Sequence, residues 1–129
     1  MSPKKLKIMV LDDEPIVCKR LQPALEKLGY EVDTFTQSLE ALHRIRDLDY
    51  DIIITDLKMK GIDGMRFLQE AKKRHPETEV IVITGFATLE TAKESFQKGV
   101  FDFIAKPFKL SEIQEVVAKA AAKIQAQSA

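Results

Sequence analysis

The stretch DIIITDLKM, Asp51 to Met59, decides the fold. Three consecutive isoleucines between acidic ends are too few to cross a membrane and too β-branched to favour a helix. They read as a strand buried on both faces, as in parallel sheets. The strand ends at Thr55, and Asp56 follows at once. In open α/β sheets, ligands bind outside the carboxyl ends of the strands. Asp56 is therefore the point at which other segments are expected to converge.

Four further runs resemble this one. LKIMVL at 6–11 ends in Asp12, Asp13 and Glu14. Tyr30 to Phe35 alternates apolar and polar residues, Glu79 to Thr84 (EVIVIT) reads as another buried strand, and Phe101 to Ala105 precedes Lys106-Pro107. Helical spacing fills the gaps between them. One helix is expected from about Pro15 to Leu28, with Val17, Leu21, Ala24, Leu25 and Leu28 recurring at helical spacing and Gly29 closing it. Pro23 lies inside that pattern. It removes a helix hydrogen bond at a cost of roughly 3 kcal/mol unless the helix bends, so a bend is expected near Lys19 to Gln22. A second helix is expected over Gln37 to Asp47, marked by Leu39, Leu42 and Ile45. A third is capped by Asp63, carries Met65, Phe67, Leu68 and Ala71, and stops before Pro76. The fourth covers Ala87 to Lys98, with Leu89, Ala92 and Phe96 inward. The last opens with a capping box of Ser111 and Gln114 and buries Ile113, Val116, Val117, Ala120 and Ile124. Five βα units imply right-handed crossovers and a doubly wound α/β domain with helices on both faces of a parallel sheet. One domain spans 1–129, with its core over about 6–124 and a frayed or linker-like tail at 125–129.

Composition narrows the function. With 129 residues, 45% hydrophobic, the chain suits one ordinary domain. Lys plus Arg and Asp plus Glu stand at 20 each, which gives no electrostatic case for direct binding of nucleic acid. No signal peptide or membrane span is expected, and Met1 to Lys5 reads as a short polar lead-in. Cys18 is the single cysteine. It reads as a small residue on a helix in a reducing, cytoplasmic setting. His43 and His75 stand apart and read as helix-surface residues. The glycines build neither GxGxxG nor a Walker loop.

The carboxyl edge of such a sheet gathers Asp12 and Asp13 from the first strand, Asp56 from the third, Thr84 from the fourth and Lys106 from the fifth. An acid after a strand is usually a turn residue or cap, which accounts for Asp63. Three together repel one another unless a cation relieves them, and Mg²⁺ suits such oxygen donors. A carboxylate can accept a phosphoryl group. That transfer needs mainly alignment and positive charge at the phosphoryl oxygens. Lys106, the Thr84 hydroxyl and backbone N–H groups near Lys58 and Gly85 could supply the remainder of the cradle.

The pieces VLDDE at 10–14, DIIITDLKM…GIDG at 51–64, VIVITG at 80–85 and FDFIAKPF at 101–108 resemble the CheY-like receiver domain of two-component response regulators. They occur in the family's order and cover nearly the whole chain. The resemblance implies a flavodoxin-like fold with strand order 2-1-3-4-5. It implies Asp56 as phosphoacceptor, with Mg²⁺ held by Asp12, Asp13, Asp56 and the backbone carbonyl of Lys58. It implies Thr84 and Phe103 as a switch pair, Lys106 as the phosphate contact and a cis Lys106–Pro107 bond. The implied partners are a sensor histidine kinase or histidine phosphotransfer protein, an output domain or effector protein, and a second copy in a homodimer. The lack of arginine in the last helix argues against a dimer held by ion pairs of the fourth helix, fifth strand and fifth helix. The family's loop after the phosphoacceptor usually reads Met-Pro-Gly; here it is Met59-Lys60-Gly61, and Lys60 frees a backbone angle that proline would fix.

Two other classes compete. One is a phosphorylation-independent interaction module of the same fold. The other is a flavodoxin-like enzyme. A haloacid-dehalogenase-type phosphatase wants an acid two residues after its nucleophile, and that position is Lys58. The expectation is a signalling phosphoacceptor rather than an enzyme, acting alone or as a piece of a longer regulator.

Overall fold

The structure, a computed structural model, describes residues 5–128. Five strands and five helices alternate. The strands are β1 (Lys7–Leu11), β2 (Glu31–Phe35), β3 (Ile52–Thr55), β4 (Glu79–Thr84) and β5 (Asp102–Ala105). The helices are α1 (Pro15–Glu26), α2 (Ser38–Asp47), α3 (Gly64–Arg74), α4 (Leu89–Gln97) and α5 (Leu110–Ser128). All strand pairs are parallel, in the order β2-β1-β3-β4-β5. This is the flavodoxin-like arrangement expected from the sequence.

The continuous apolar runs are sorted by the two-residue period of a strand. Ile8, Val10, Ile52, Ile54, Ile81 and Ile83 pack with Val17, Leu21 and Leu25 of α1 and Ile113, Val117 and Ala120 of α5. Met9, Leu11, Ile53, Val80 and Val82 pack on the other face with Ala41 and Ile45 of α2 and Phe67, Leu68 and Ala71 of α3. Each fully buried Leu or Ile contributes roughly 1.5–3 kcal/mol, so both faces of the sheet carry a core. α1 continues through Pro23 to Glu26, and Gly29 follows with φ +97°. The Asp63 carboxylate caps α3 by accepting from Arg66 N–H at 2.9 Å.

Several sequence expectations fail at helix surfaces and ends. Leu89 and Phe96 are exposed rather than inward, and Leu28 and Leu39, which recur at helical spacing, are exposed as well. Helical spacing identifies a stripe but not how much of it the sheet covers. α4 buries only Ser95, whose hydroxyl donates to the Thr91 carbonyl. Its start is set by a capping box of Thr88 and Thr91. α5 opens at Leu110, so Ser111 is already inside its first turn, and Gln114 Nε2 donates instead to the Ala24 carbonyl at 3.1 Å. Most of the expected frayed tail belongs to α5, which runs to Ser128; Ala129, like Met1 to Lys4, lies outside the described residues. His43 is exposed as expected, but His75 ends α3 and sits 3.2 Å from the Ile45 carbonyl and 3.1 Å from Asp49.

Candidate functional site

The sheet's hydrogen bonding runs one residue past three of the strand ends. Asp12 N–H donates to Phe35 O, Asp56 N–H to Leu11 O and Lys106 N–H to Thr84 O, at 2.8–3.1 Å. These bonds fix the residues that follow β1, β3 and β5, and so bring Asp12, Asp56 and Lys106 to one edge. Carboxylate oxygens of Asp12, Asp13 and Asp56 all lie within 4.8 Å of one another. Asp12 and Asp56 are buried and Asp13 is more open.

One ammonium answers these acids. Lys106 Nζ lies 2.8 Å from Asp12 Oδ2, 2.9 Å from Asp56 Oδ2 and 2.7 Å from Glu14 Oε1. Burial works against the Lys106 charge, but its bonds to Asp12, Glu14 and Asp56 outweigh that and hold its pKa above the ordinary lysine range. Burial pushes the Asp12 carboxyl above its usual range, and the bonds from Lys106 and the Glu14 N–H only partly offset this. The place of Glu14 after two aspartates suggests only a favourable charge at a helix start. In the structure it caps α1 without a side-chain bond to the helix and turns instead to Lys106.

Asp56 Oδ1 accepts from Leu57 N–H at 2.6 Å and from Lys58 N–H at 3.3 Å. The Lys58 N–H expected to help cradle a phosphate is therefore already directed at Asp56. Thr84 is fully buried, and its Oγ1 accepts from Phe86 N–H at 3.1 Å. Phe103 is half-buried against the α2–α3 side of the sheet. Lys58 is exposed, with its Nζ 5.8 Å from the Phe86 ring centre. The Lys106–Pro107 bond is cis. Asp13, Glu14, Asp56, Lys58, Met59, Lys60, Gly85, Phe86 and Lys106 line an open crevice of about 460 Å³.

The loop from Asp56 to α3 folds back tightly. Gly64 N–H donates to Leu57 O at 2.8 Å. A Cβ at Gly64 would run into Asp56 O and sit 2.5 Å from Leu57 Cα, so only glycine allows this approach. The second glycine of GIDG is thus required by the backbone beneath Asp56. Nothing in the sequence singles out Ser38, yet this buried residue of α2 reaches the same loop. Its hydroxyl donates to Lys60 O and accepts from Ile62 N–H, both at 3.0 Å.

Cys18 is buried beside the site, its Sγ 3.8 Å from Asp12 O and 3.6 Å from Phe35 O. Burial, then the nearby Asp12 charge, pushes its thiol pKa up. It is a packing residue rather than a nucleophile.

Residues 8–118 match the family model of the response regulator receiver domain. The chain belongs to that family. It is 34% identical over 114 residues to the regulatory protein AtoC of Escherichia coli K12, covering 88% of this chain and 25% of AtoC. This receiver domain thus spans about a quarter of the length of the curated relatives it matches. Its fold superposes on a receiver domain protein from Methanospirillum hungatei with a TM-score of 0.92 at 25% identity, covering 96% and 99% of the two chains. A response regulator from Burkholderia pseudomallei, solved with a phosphorylated aspartic acid and a calcium ion, aligns with a TM-score of 0.82 at 26% identity over 97% of this chain and 74% of that one.

The donor set of this receiver domain fits a hard divalent cation. Asp12, Asp13 and Asp56 offer only oxygen ligands, and their oxygens are close enough to share one ion. Among the described residues no helix is long and apolar enough to cross a membrane.

Proposed function

We propose that the chain accepts a phosphoryl group on Asp56 from a phosphohistidine of a sensor kinase or phosphotransfer protein, and signals through the resulting change. One observation carries this reading: a buried carboxylate between two further acids and a lysine, at the floor of an open crevice. An Asp56 oxygen attacks phosphorus in line. The new P–O bond forms as the P–N bond to the histidine breaks, and the imidazole leaves with the bonding electron pair. Lys106 is placed to follow the charge onto the phosphoryl oxygens, exchanging its bond to Asp56 for one to the group Asp56 carries. The Thr84 hydroxyl accepts from Phe86 N–H, so its own hydrogen is available to a phosphoryl oxygen.

Asp12, Asp13, Asp56 and the Lys58 carbonyl would hold Mg²⁺, which when bound neutralises charge on the transferring group. The chain is a signalling phosphoacceptor whose catalysis is limited to its own phosphotransfer and dephosphorylation. Phosphorylation adds roughly −1.5 to −2 of charge. Movement of Thr84 toward it would free space for Phe103, now half-buried, to turn inward and remodel the α4-β5-α5 face. That face already exposes Leu89 and Phe96, with Phe86 beside it, apolar side chains suited to an output domain, an effector or a second copy. A cytoplasmic setting suits the single unpaired cysteine.

The test is incubation of the 129-residue chain with a small acyl phosphate donor, with and without Mg²⁺, followed by intact mass. One added phosphate is expected with Mg²⁺, and none on Asp56→Ala. An unlabelled wild type, or an Asp56→Ala that labels equally, ends the proposal.

A further inference from the structure

We infer that Ser38 is a positioning residue for the cation site, acting through the loop that follows Asp56. The inference rests on the cation reading of the Asp12, Asp13 and Asp56 cluster. That loop carries Lys58, whose carbonyl is the expected fourth protein ligand, and then Met59, Lys60 and Gly61 before it rejoins α3. Its near end is tied within itself, by Leu57 and Lys58 N–H to Asp56 Oδ1 and by Gly64 N–H to Leu57 O. Its outer part is held by a different element. Ser38, the first residue of α2, bonds Lys60 O and Ile62 N–H with one hydroxyl, 22 and 24 positions along the chain.

The fit is specific. A Cβ at Gly61 would meet Ser38 Oγ at 2.8 Å, and Gly61 has φ +89°, which L side chains rarely adopt. Glycine at 61 is therefore required both by its backbone angle and by the close approach of Ser38. The clamp also answers the lysine at position 60. A proline there would restrict the loop through its ring; here two hydrogen bonds from α2 hold the residues on either side of Gly61. Ligands need a shell that restrains them, and loss of an outer partner bonded directly to a ligand typically costs 10–100-fold in metal affinity. Ser38 acts two residues beyond Lys58, so the expected loss is smaller, about fivefold.

The experiment titrates the full 129-residue chain with Mn²⁺, reading free ion by its electron spin resonance, for wild type and Ser38→Ala. Amide exchange at Ile62 is measured on both proteins without metal. Ser38→Ala is expected to exchange faster at Ile62 and to bind Mn²⁺ about fivefold more weakly while remaining folded. A purely structural serine would lower the unfolding temperature and leave the affinity of the folded protein unchanged. Affinity within twofold of wild type, whether or not Ile62 is deprotected, overturns the inference and leaves the phosphoacceptor reading intact. A wild type that binds no Mn²⁺ removes the cation reading itself.

Discussion

At the carboxyl edge of the sheet, Asp12, Glu14 and Asp56 share one ammonium, and Asp13 joins the cluster with no salt bridge of its own among the described residues. At the amino edge the same kinds of residue are matched one to one. Asp51 accepts from Lys7 N–H, the Thr78 hydroxyl donates to Tyr50 O, the Tyr50 hydroxyl donates to Asp33, and Glu79 pairs with Lys123. Burial and the bond to Asp33 push the Tyr50 phenol well above its ordinary range, so that donor keeps its proton at any physiological pH. An open groove of about 670 Å³ lies at this edge too, larger than the crevice at Asp56. The size of a hollow therefore does not mark the chemistry. The difference lies in clustering: the amino edge is acidic too, with Asp47, Asp49, Asp51 and Glu77 along its groove, but the carboxyl edge packs three carboxylates within 4.8 Å of one another, in surplus over the one ammonium beside them.

Breaking the backbone beneath that surplus gives the largest expected effect. Gly64→Ala places a Cβ against the Asp56 carbonyl and Leu57, backbone atoms that cannot swing aside. Destabilisation of about 3 kcal/mol or more is expected by urea unfolding, with loss of phosphoryl acceptance. Wild-type stability would show that the loop rearranges freely and that its tight return does not position Asp56.

At the opposite edge, Thr78→Val keeps the shape and removes one buried hydroxyl. The Tyr50 carbonyl loses its 2.6 Å donor, and about 1–2 kcal/mol of stability should go with it. Phosphoryl acceptance and Mn²⁺ affinity should stay at wild-type values, because none of the cluster is touched. A large change in metal affinity would mean that the two edges are coupled through the sheet.

These contrasts are unevenly legible in the sequence. The parallel sheet, its two core faces and the meeting of Asp12, Asp13, Asp56, Thr84 and Lys106 follow from apolar runs ending in polar residues, because a parallel sheet aligns its carboxyl ends; the strand order rests on the resemblance to receiver domains. Leu89 and Phe96 are misread because periodicity reports a stripe and not the area of sheet available to cover it. Ser111 is misread because its three-residue spacing to Gln114 imitates a capping box, whereas α5 already opens at Leu110 and Gln114 donates to the Ala24 carbonyl of α1. Glu14 and Ser38 escape for a different reason. Their partners lie 92 and 22 or more positions away, and a glutamate or serine at a helix start already has a sufficient local explanation.

The smallest effect carries the opposite sign, which makes it the sharpest probe of the surplus. Among the described residues Asp13 has no hydrogen-bond or salt-bridge partner to lose, and it has two carboxylates beside it. Asp13→Asn removes one of the repelling charges while nearly conserving shape. Without divalent ions and at low salt, the variant should be more stable than wild type by about 0.5 kcal/mol, or roughly 2 °C in unfolding temperature. Added monovalent salt should shrink the gain, since the repulsion is screened within about 10 Å at 0.1 M. With Mg²⁺ the order should reverse, because a cation that binds only the folded chain stabilises it in proportion to the logarithm of its concentration over Kd, and the variant holds it more weakly. A variant no more stable than wild type without metal, or equally stabilised by Mg²⁺, would show that Asp13 is an ordinary surface acid and that the imbalance at this edge is confined to Asp12 and Asp56.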